Sequence, residues 1–148
     1  MFTENMIAPC GLDCSLCNEA LKRENPCAGC MGSDDNKPEF CSKHCTIINC
    51  KNLVNNRFRF CTECMDYPCE FNNERESRYM SQYVMKESPL SNLEDIKNIG
   101  INEFLTKQHE RWTCKKCSGI ICVHTGICSK CGETYRAEDI TIVTKYTV

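Results

Sequence analysis

The sequence predicts a small, metal-stabilised α+β protein: an irregular Cys-rich zinc-binding module at the N-terminus, a short helical middle, and a C-terminal zinc ribbon with a β-hairpin. Three observations predict it. Cysteine supplies 16 of 148 residues, well above ordinary globular usage. Five Cys pairs are each separated by two residues: Cys14/Cys17, Cys27/Cys30, Cys61/Cys64, Cys114/Cys117 and Cys128/Cys131. Two thiolates at that separation can grip one tetrahedral ion from a single tight turn. The Cys residues also fall in two blocks, 1–70 and 114–131, around a Cys-free stretch with helical patterning. The length excludes a TIM barrel or a two-domain Rossmann enzyme. The hydrophobic fraction of 41% already includes every Cys, so the remaining apolar side chains are too few for a generous core. Metal must help offset a chain entropy of about 1 to 2 kcal/mol per residue.

The opening MFTENMIAPCGLDC lacks the basic and apolar regions of a secretory leader, and no apolar run nears the length of a membrane span. A soluble, cytoplasmic protein is expected, where thiols stay reduced and dense Cys reads as metal ligation before disulfides. A net charge of −2 and a pI near 5.9 give no electrostatic reason to expect nucleic acid or an anionic membrane. A protein partner is favoured.

Residues 1–70, the Cys-rich metal-binding module, carry eleven Cys punctuated by Pro9, Pro26, Gly29, Gly32, Pro38 and Pro68. No helical or alternating period is sustained there, so loops and short helices folded round metal are expected. The candidate ligands are Cys10, Cys14, Cys17, Cys27, Cys30, Cys41, Cys45, Cys50, Cys61, Cys64 and Cys69, with His44 as a further candidate. The most economical pairing joins Cys14/Cys17 to Cys27/Cys30, and Cys61/Cys64 to two of Cys41, Cys45, Cys50 and Cys69. Interleaved pairings with Cys10 satisfy the spacing equally well.

Residues 71–113 are expected to be a helical connector packed on that module. Phe71, Tyr79, Met80, Tyr83 and Val84 sit roughly one helical face apart and Glu74 can pair with Arg78, which predicts a helix over 72–86 ended by Pro89. Ser91 and Glu94 form a capping-box pattern that opens a second helix with Leu93 and Ile96, stopped by Gly100. A third helix carries Ile101, Phe104, Leu105, Gln108 and Trp112 as an apolar stripe with one polar member, read as helix packing. His109 lies on an exposed flank.

Residues 114–148 are expected to form the zinc ribbon and a C-terminal strand. Cys114/Cys117 and Cys128/Cys131 are ten residues apart, and Gly119 and Gly132 can supply the positive φ of a turn round a metal. Ile120–His124 reads as a strand with Thr125-Gly126 as its turn, placing Cys122 and His124 on one face. Cys122 reads as a small buried hydrophobe; it or His124 is the alternative ligand. Four Cys ligands, Cys114, Cys117, Cys128 and Cys131, leave no open coordination position and so define a structural ion. Three zinc ions are expected, two from residues 10–69 and one from 114–131.

The opening A8-P9-C-G-L-D-C-S-L-C17, then C27-A-G-C30, C45-T-I-I-N-C50 and C61-T-E-C-M-D-Y-P-C-E70, resembles a prokaryotic cysteine-rich, zinc-binding domain family of unknown function. The segments N98-I-G-I-N-E-F-L105, R111-W-T-C-K-K-C117 and G119-I-I-C-V-H-T-G-I-C-S-K-C-G132 resemble the C-terminal zinc-ribbon extension of its longer members. The resemblance covers roughly residues 7–132 and implies metal binding on the matching Cys, with no activity to carry over. Cys41 lies outside these motifs.

Other readings compete. An iron–sulfur cluster protein in electron transfer or redox sensing is the runner-up, because thiolates suit iron–sulfur clusters and zinc alike, although the compact C-x2-C-x2-C-x3-C-P run is missing. Cys10-x3-Cys14-x2-Cys17 matches the spacing of radical S-adenosylmethionine enzymes, but the chain is too short for their barrel. Arg57-Phe58-Arg59-Phe60 with Lys51, Lys115 and Lys116 supports a nucleic-acid-binding ribbon, against the reading of a short strand with both Phe inward. No Ser/His/Asp order, phosphate-binding loop or apolar carboxylate pair is visible, so the sequence leans against an enzyme.

Overall fold

The computed structural model describes residues 2–140, and the C-terminal strand expected within 141–148 lies outside the described residues. Five helices, α1 (Asn18–Leu21), α2 (Lys51–Asn56), α3 (Glu70–Ser81), α4 (Pro89–Ile99) and α5 (Ile101–Trp112), alternate with short 3-10 turns and one wide turn over Phe40–His44. The protein is mostly helical. Among the described residues, strand pairing is limited to isolated antiparallel bridges: Ile7 with Asp13, Thr113 with Ile120, Ile121 with Cys128, and Ile127 with Thr134. Among those residues no helix is long and apolar enough to cross a membrane.

In the first block the chain turns too often for a long helix. The Cys14–Leu16 turn opens on Asp13, whose carboxylate accepts from Ser15 N at 3.0 Å. Gly11 has φ +94, and a Cβ there would sit 2.3 Å from the Pro89 carbonyl oxygen, so only glycine lets this loop rest on α4.

The middle helices correct two expected boundaries. α3 contains the Glu74–Arg78 pair but ends at Ser81 rather than near 86. Val84 N and Met85 N instead donate to the carbonyls of His124 and Val123, at 3.4 and 3.1 Å. α4 starts at Pro89, with Ser88 as N-cap accepting from Ser91 N at 3.1 Å. Pro89 therefore opens a helix, where its missing N–H costs nothing, and Ser91 is not the cap. α5 runs over Ile101–Trp112 and buries Phe104, Gln108 and Trp112. Gln108, the polar member of the stripe, donates from Nε2 to Asp13 Oδ2 at 3.1 Å.

The expected β-hairpin does not form. The turn comes early, at Val123–Thr125, closed by Gly126 N donating to Cys122 O at 2.9 Å. Val123 N donates to Leu16 O at 2.9 Å. The backbone that would have extended the hairpin is thus paired with the first block and with residues 84–85. Ile121, Cys122 and Val123 are all buried, so the inside–outside alternation of a strand is absent. One core cluster joins Leu16, Met85, Trp112, Cys114, Ile121, Val123, Cys128 and Ile140. A second gathers Ala8, Cys10, Leu12, Cys45 and Ile47.

Candidate metal centre

The C-terminal pairs converge. The sulfur atoms of Cys114, Cys117, Cys128 and Cys131 all lie within 4.8 Å of one another, with Cys114–Cys131 at 3.7 Å and Cys117–Cys128 at 3.4 Å. A disulfide would bring two sulfurs to about 2.0 Å. Four sulfurs bonded at about 2.3 Å to one tetrahedral zinc stand about 3.8 Å apart, so the arrangement fits a single ion. α5 delivers the first pair directly after Trp112. Each knuckle is shaped by its own backbone: Gly119 N donates to Cys117 Sγ at 3.3 Å, and Lys130 N to Cys128 Sγ at 3.4 Å.

Ligation requires thiolates, and the quartet is split: although the Glu133 backbone works the other way, hydrogen bonds with the other three thiols push Cys131 up to about 12, while Cys114 is favoured. The Tyr135 hydroxyl 3.2 Å from Cys114 Sγ draws that thiol down to about 6 against the opposing effect of burial. The positive φ expected at both glycines falls at Ser118 (φ 66) and Gly132 (φ 79). Gly119 serves through its size, since a Cβ there would lie 2.8 Å from Cys128 Sγ and 3.3 Å from Cys117 Sγ.

The eleven N-terminal Cys are arranged differently. Cys10, Cys14, Cys17, Cys30, Cys41 and Cys45 line one cavity of about 310 Å³. Cys50, Cys61, Cys64 and Cys69 line another of about 160 Å³. Cys27 borders neither, and its sulfur accepts from Gly29 N at 3.4 Å. Cys14 and Cys30 come together, sulfur to sulfur at 3.6 Å. The hydrogen bond from Cys14 holds Cys30 at about 7 despite burial, with Lys37 and Arg75 assisting. Burial pushes Cys17, Cys41 and Cys61 each up to about 11. Among the described residues the C-terminal quartet is the one group of three or more candidate ligands whose atoms all lie within 4.8 Å. His44 is exposed, on the lining of an open surface depression that also includes Cys45 and Cys50. His124 Nδ1 accepts from Asn18 N at 3.3 Å and its ring packs on Tyr83 at 4.5 Å, so His124 faces the first block rather than the quartet. Cys122 is buried; burial works against its ionisation, but hydrogen bonds with His124 and Thr125 bring it down to about 7.

Sequence reasoning missed three groups that shape these sites. Arg75, 6% exposed, donates from Nη2 to Cys45 Sγ at 3.4 Å, while its Nε has no partner among the described residues. Asn72, on the same helix, faces the smaller cavity; its place three residues after Cys69 is a readable capping signal. Asp13 and Glu87 form a buried carboxylate pair, with Glu87 Oε2 accepting from Asp13 N at 2.8 Å and from Asn92 Nδ2 at 3.1 Å.

Together these features define a small, mostly helical, cysteine-rich protein with a four-Cys group able to hold a metal ion. Residues 6–74 match a family described as a protein of unknown function (DUF3795). The match ends at residue 74, so it takes in the first Cys block and the start of α3 but not the C-terminal quartet that the resemblance was expected to include. No curated protein and no solved structure matches the chain.

Proposed function

We propose that Cys114, Cys117, Cys128 and Cys131 hold one structural zinc ion between two Cys-x2-Cys knuckles, and that the chain is a non-catalytic metal–thiolate protein acting as an interaction or regulatory module. The observation that carries the reading is the sulfur separation of 3.7 and 3.4 Å across the two knuckles. All-thiolate tetrahedral ligation suits zinc, and four protein ligands leave no position for water or substrate. The ion's work is then mechanical: it fixes the Val123–Thr125 turn whose backbone docks on Leu16 and on residues 84–85.

A nucleic-acid role draws less support from the geometry. Arg59 Nη2 donates to the carbonyls of Glu4 and Ile7, at 2.8 and 2.7 Å, and its guanidinium lies over the Phe60 ring at 4.3 Å. The Arg-Phe-Arg-Phe run therefore has one of its two cations engaged in holding the N-terminal segment. Native mass spectrometry and elemental analysis of protein purified without added metal test the zinc assignment. Wild type should carry one zinc that Cys131→Ser lacks. Equal zinc content in both would refute it.

A further inference from the structure

The smaller N-terminal cavity differs from the zinc quartet in ways that point to a different guest. Cys50, Cys61, Cys64 and Cys69 line about 160 Å³ of space, with apolar walls from Ile47, Leu53 and Phe71. A void of that order accommodates a benzene-sized molecule, whereas a single zinc draws its four sulfurs to about 3.8 Å from one another. No three of these thiols lie within 4.8 Å of one another. These thiols are therefore spread more widely than those of the C-terminal quartet.

A second observation concerns a buried amide set among these thiols, which also accepts from Cys69 Sγ at 3.2 Å. Asn72 is 3% exposed and lines the same cavity; its Nδ2 makes no well-formed hydrogen bond among the described residues, and its side chain lies beside the Cys61 thiol. Its Oδ1 is committed, accepting from Cys69 N at 3.0 Å. A buried amide donor without an acceptor is costly, and such a group calls for a ligand that accepts hydrogen bonds. Asn52 Nδ2, on α2, already lies 3.8 Å from Cys64 Sγ. Cys69 is the N-cap of the twelve-residue α3, so the positive end of that helix also favours negative charge at the site.

We propose that Cys50, Cys61, Cys64 and Cys69 ligate an iron–sulfur cluster, with Asn72 donating an N–H to its sulfur atoms. A cluster binds each thiolate to its own position on a multi-iron core, so its ligands stand farther apart than those of one ion. Its sulfides and thiolates accept hydrogen bonds, and those bonds tune its potential. Loading from a preformed cluster with exchangeable thiolate ligands is a ligand exchange. Each Cys thiol forms one Fe–S bond as one external thiolate leaves, and the thiol proton passes to the departing thiolate. No electrons move.

The test is anaerobic transfer of such a synthetic cluster to the full-length protein, read by absorption near about 400 nm and by iron and sulfide content. Wild type should take up iron and sulfide in equal amounts. Cys64→Ala and Cys69→Ala should lose the chromophore, and Cys131→Ser, in the zinc quartet, should keep it. A colourless wild type, or a chromophore that survives Cys64→Ala, overturns the proposal without touching the zinc assignment. Because loss of a thiol can also unfold the chain, Asn72→Asp supplies a reading in folded protein. It keeps an oxygen for Cys69 N but replaces the donor with negative charge, so the cluster's reduction potential should fall. An unchanged potential removes Asn72 from the site.

Discussion

Replacing Gly119 with alanine tests the zinc quartet without removing a ligand. The added Cβ would meet Lys130 Cβ at 2.7 Å, Cys128 Sγ at 2.8 Å and Cys117 Sγ at 3.3 Å, where carbon contacts normally begin at about 3.5 Å. Two of these atoms belong to the second knuckle and one to the first. Relief therefore means separating the knuckles by a sizeable fraction of an ångström, against a Cys117–Cys128 distance of 3.4 Å. Overpacking of this kind costs about 1 to 3 kcal/mol. At about 1.4 kcal/mol per factor of ten, zinc should bind roughly 5- to 150-fold more weakly. Competition against a chromogenic chelator measures the change. Gly100→Ala is the control: its φ of +84 makes alanine strained there, at about 1 to 3 kcal/mol, but nothing lies within 4 Å of the new Cβ. It should lower stability and leave zinc affinity unchanged. Wild-type affinity in Gly119→Ala would refute the geometry assigned to the quartet.

Three further outcomes are expected. Chelation of the C-terminal ion should disturb Trp112, which is 1% exposed and packed in one cluster with Cys114 and Cys128; unchanged near-ultraviolet circular dichroism after verified metal removal would show that the ion is not structural. Burial, and then the neighbouring Asp13 carboxylate, raise Glu87 well above the usual carboxylate range. Its contribution is therefore fully present below the unfolded value near about 4.3 and declines as pH rises through the higher folded value. Glu87→Gln should remove that decline, so denaturation midpoints of the two proteins should diverge in the variant's favour from mildly acidic to neutral pH, and parallel profiles would contradict it. Arg59→Ala should cost about 1.5 to 3 kcal/mol through loss of its charged hydrogen bonds to Glu4 and Ile7, and a urea midpoint within error of wild type would count against that role.

Features written in local spacing were the ones legible in the sequence. The C-terminal pairs converge as their x2 spacing predicts, and α5 buries Phe104, Gln108 and Trp112 from the predicted stripe. Features decided by distant partners were not legible. α3 stops at Ser81 because Val84 and Met85 pair with a turn some 40 residues later, which no helical period in 72–86 encodes. The hairpin fails for the same reason seen from the other side. Partition of the N-terminal thiols between two cavities depends on how α3 lies across the block, so equal spacings carried no preference. The carboxylate pair Asp13 and Glu87 is 74 residues apart in sequence, beyond the reach of any motif.

That separation bears on the order in which the molecule can be made. The Gly11–Ser15 loop, which carries Cys14, is held by Glu87, Asn92 and Gln108, through partners 74, 81 and 95 residues downstream. A chain emerging from the ribosome exposes eleven thiols before any of these supports exists. Long-range contacts of this kind form slowly, since the intervening chain must be closed first. The Cys-rich block, though synthesised first, is completed last. During that interval its thiols are open to oxidants and stray metal, with none of the fold's downstream supports yet in place to shield them.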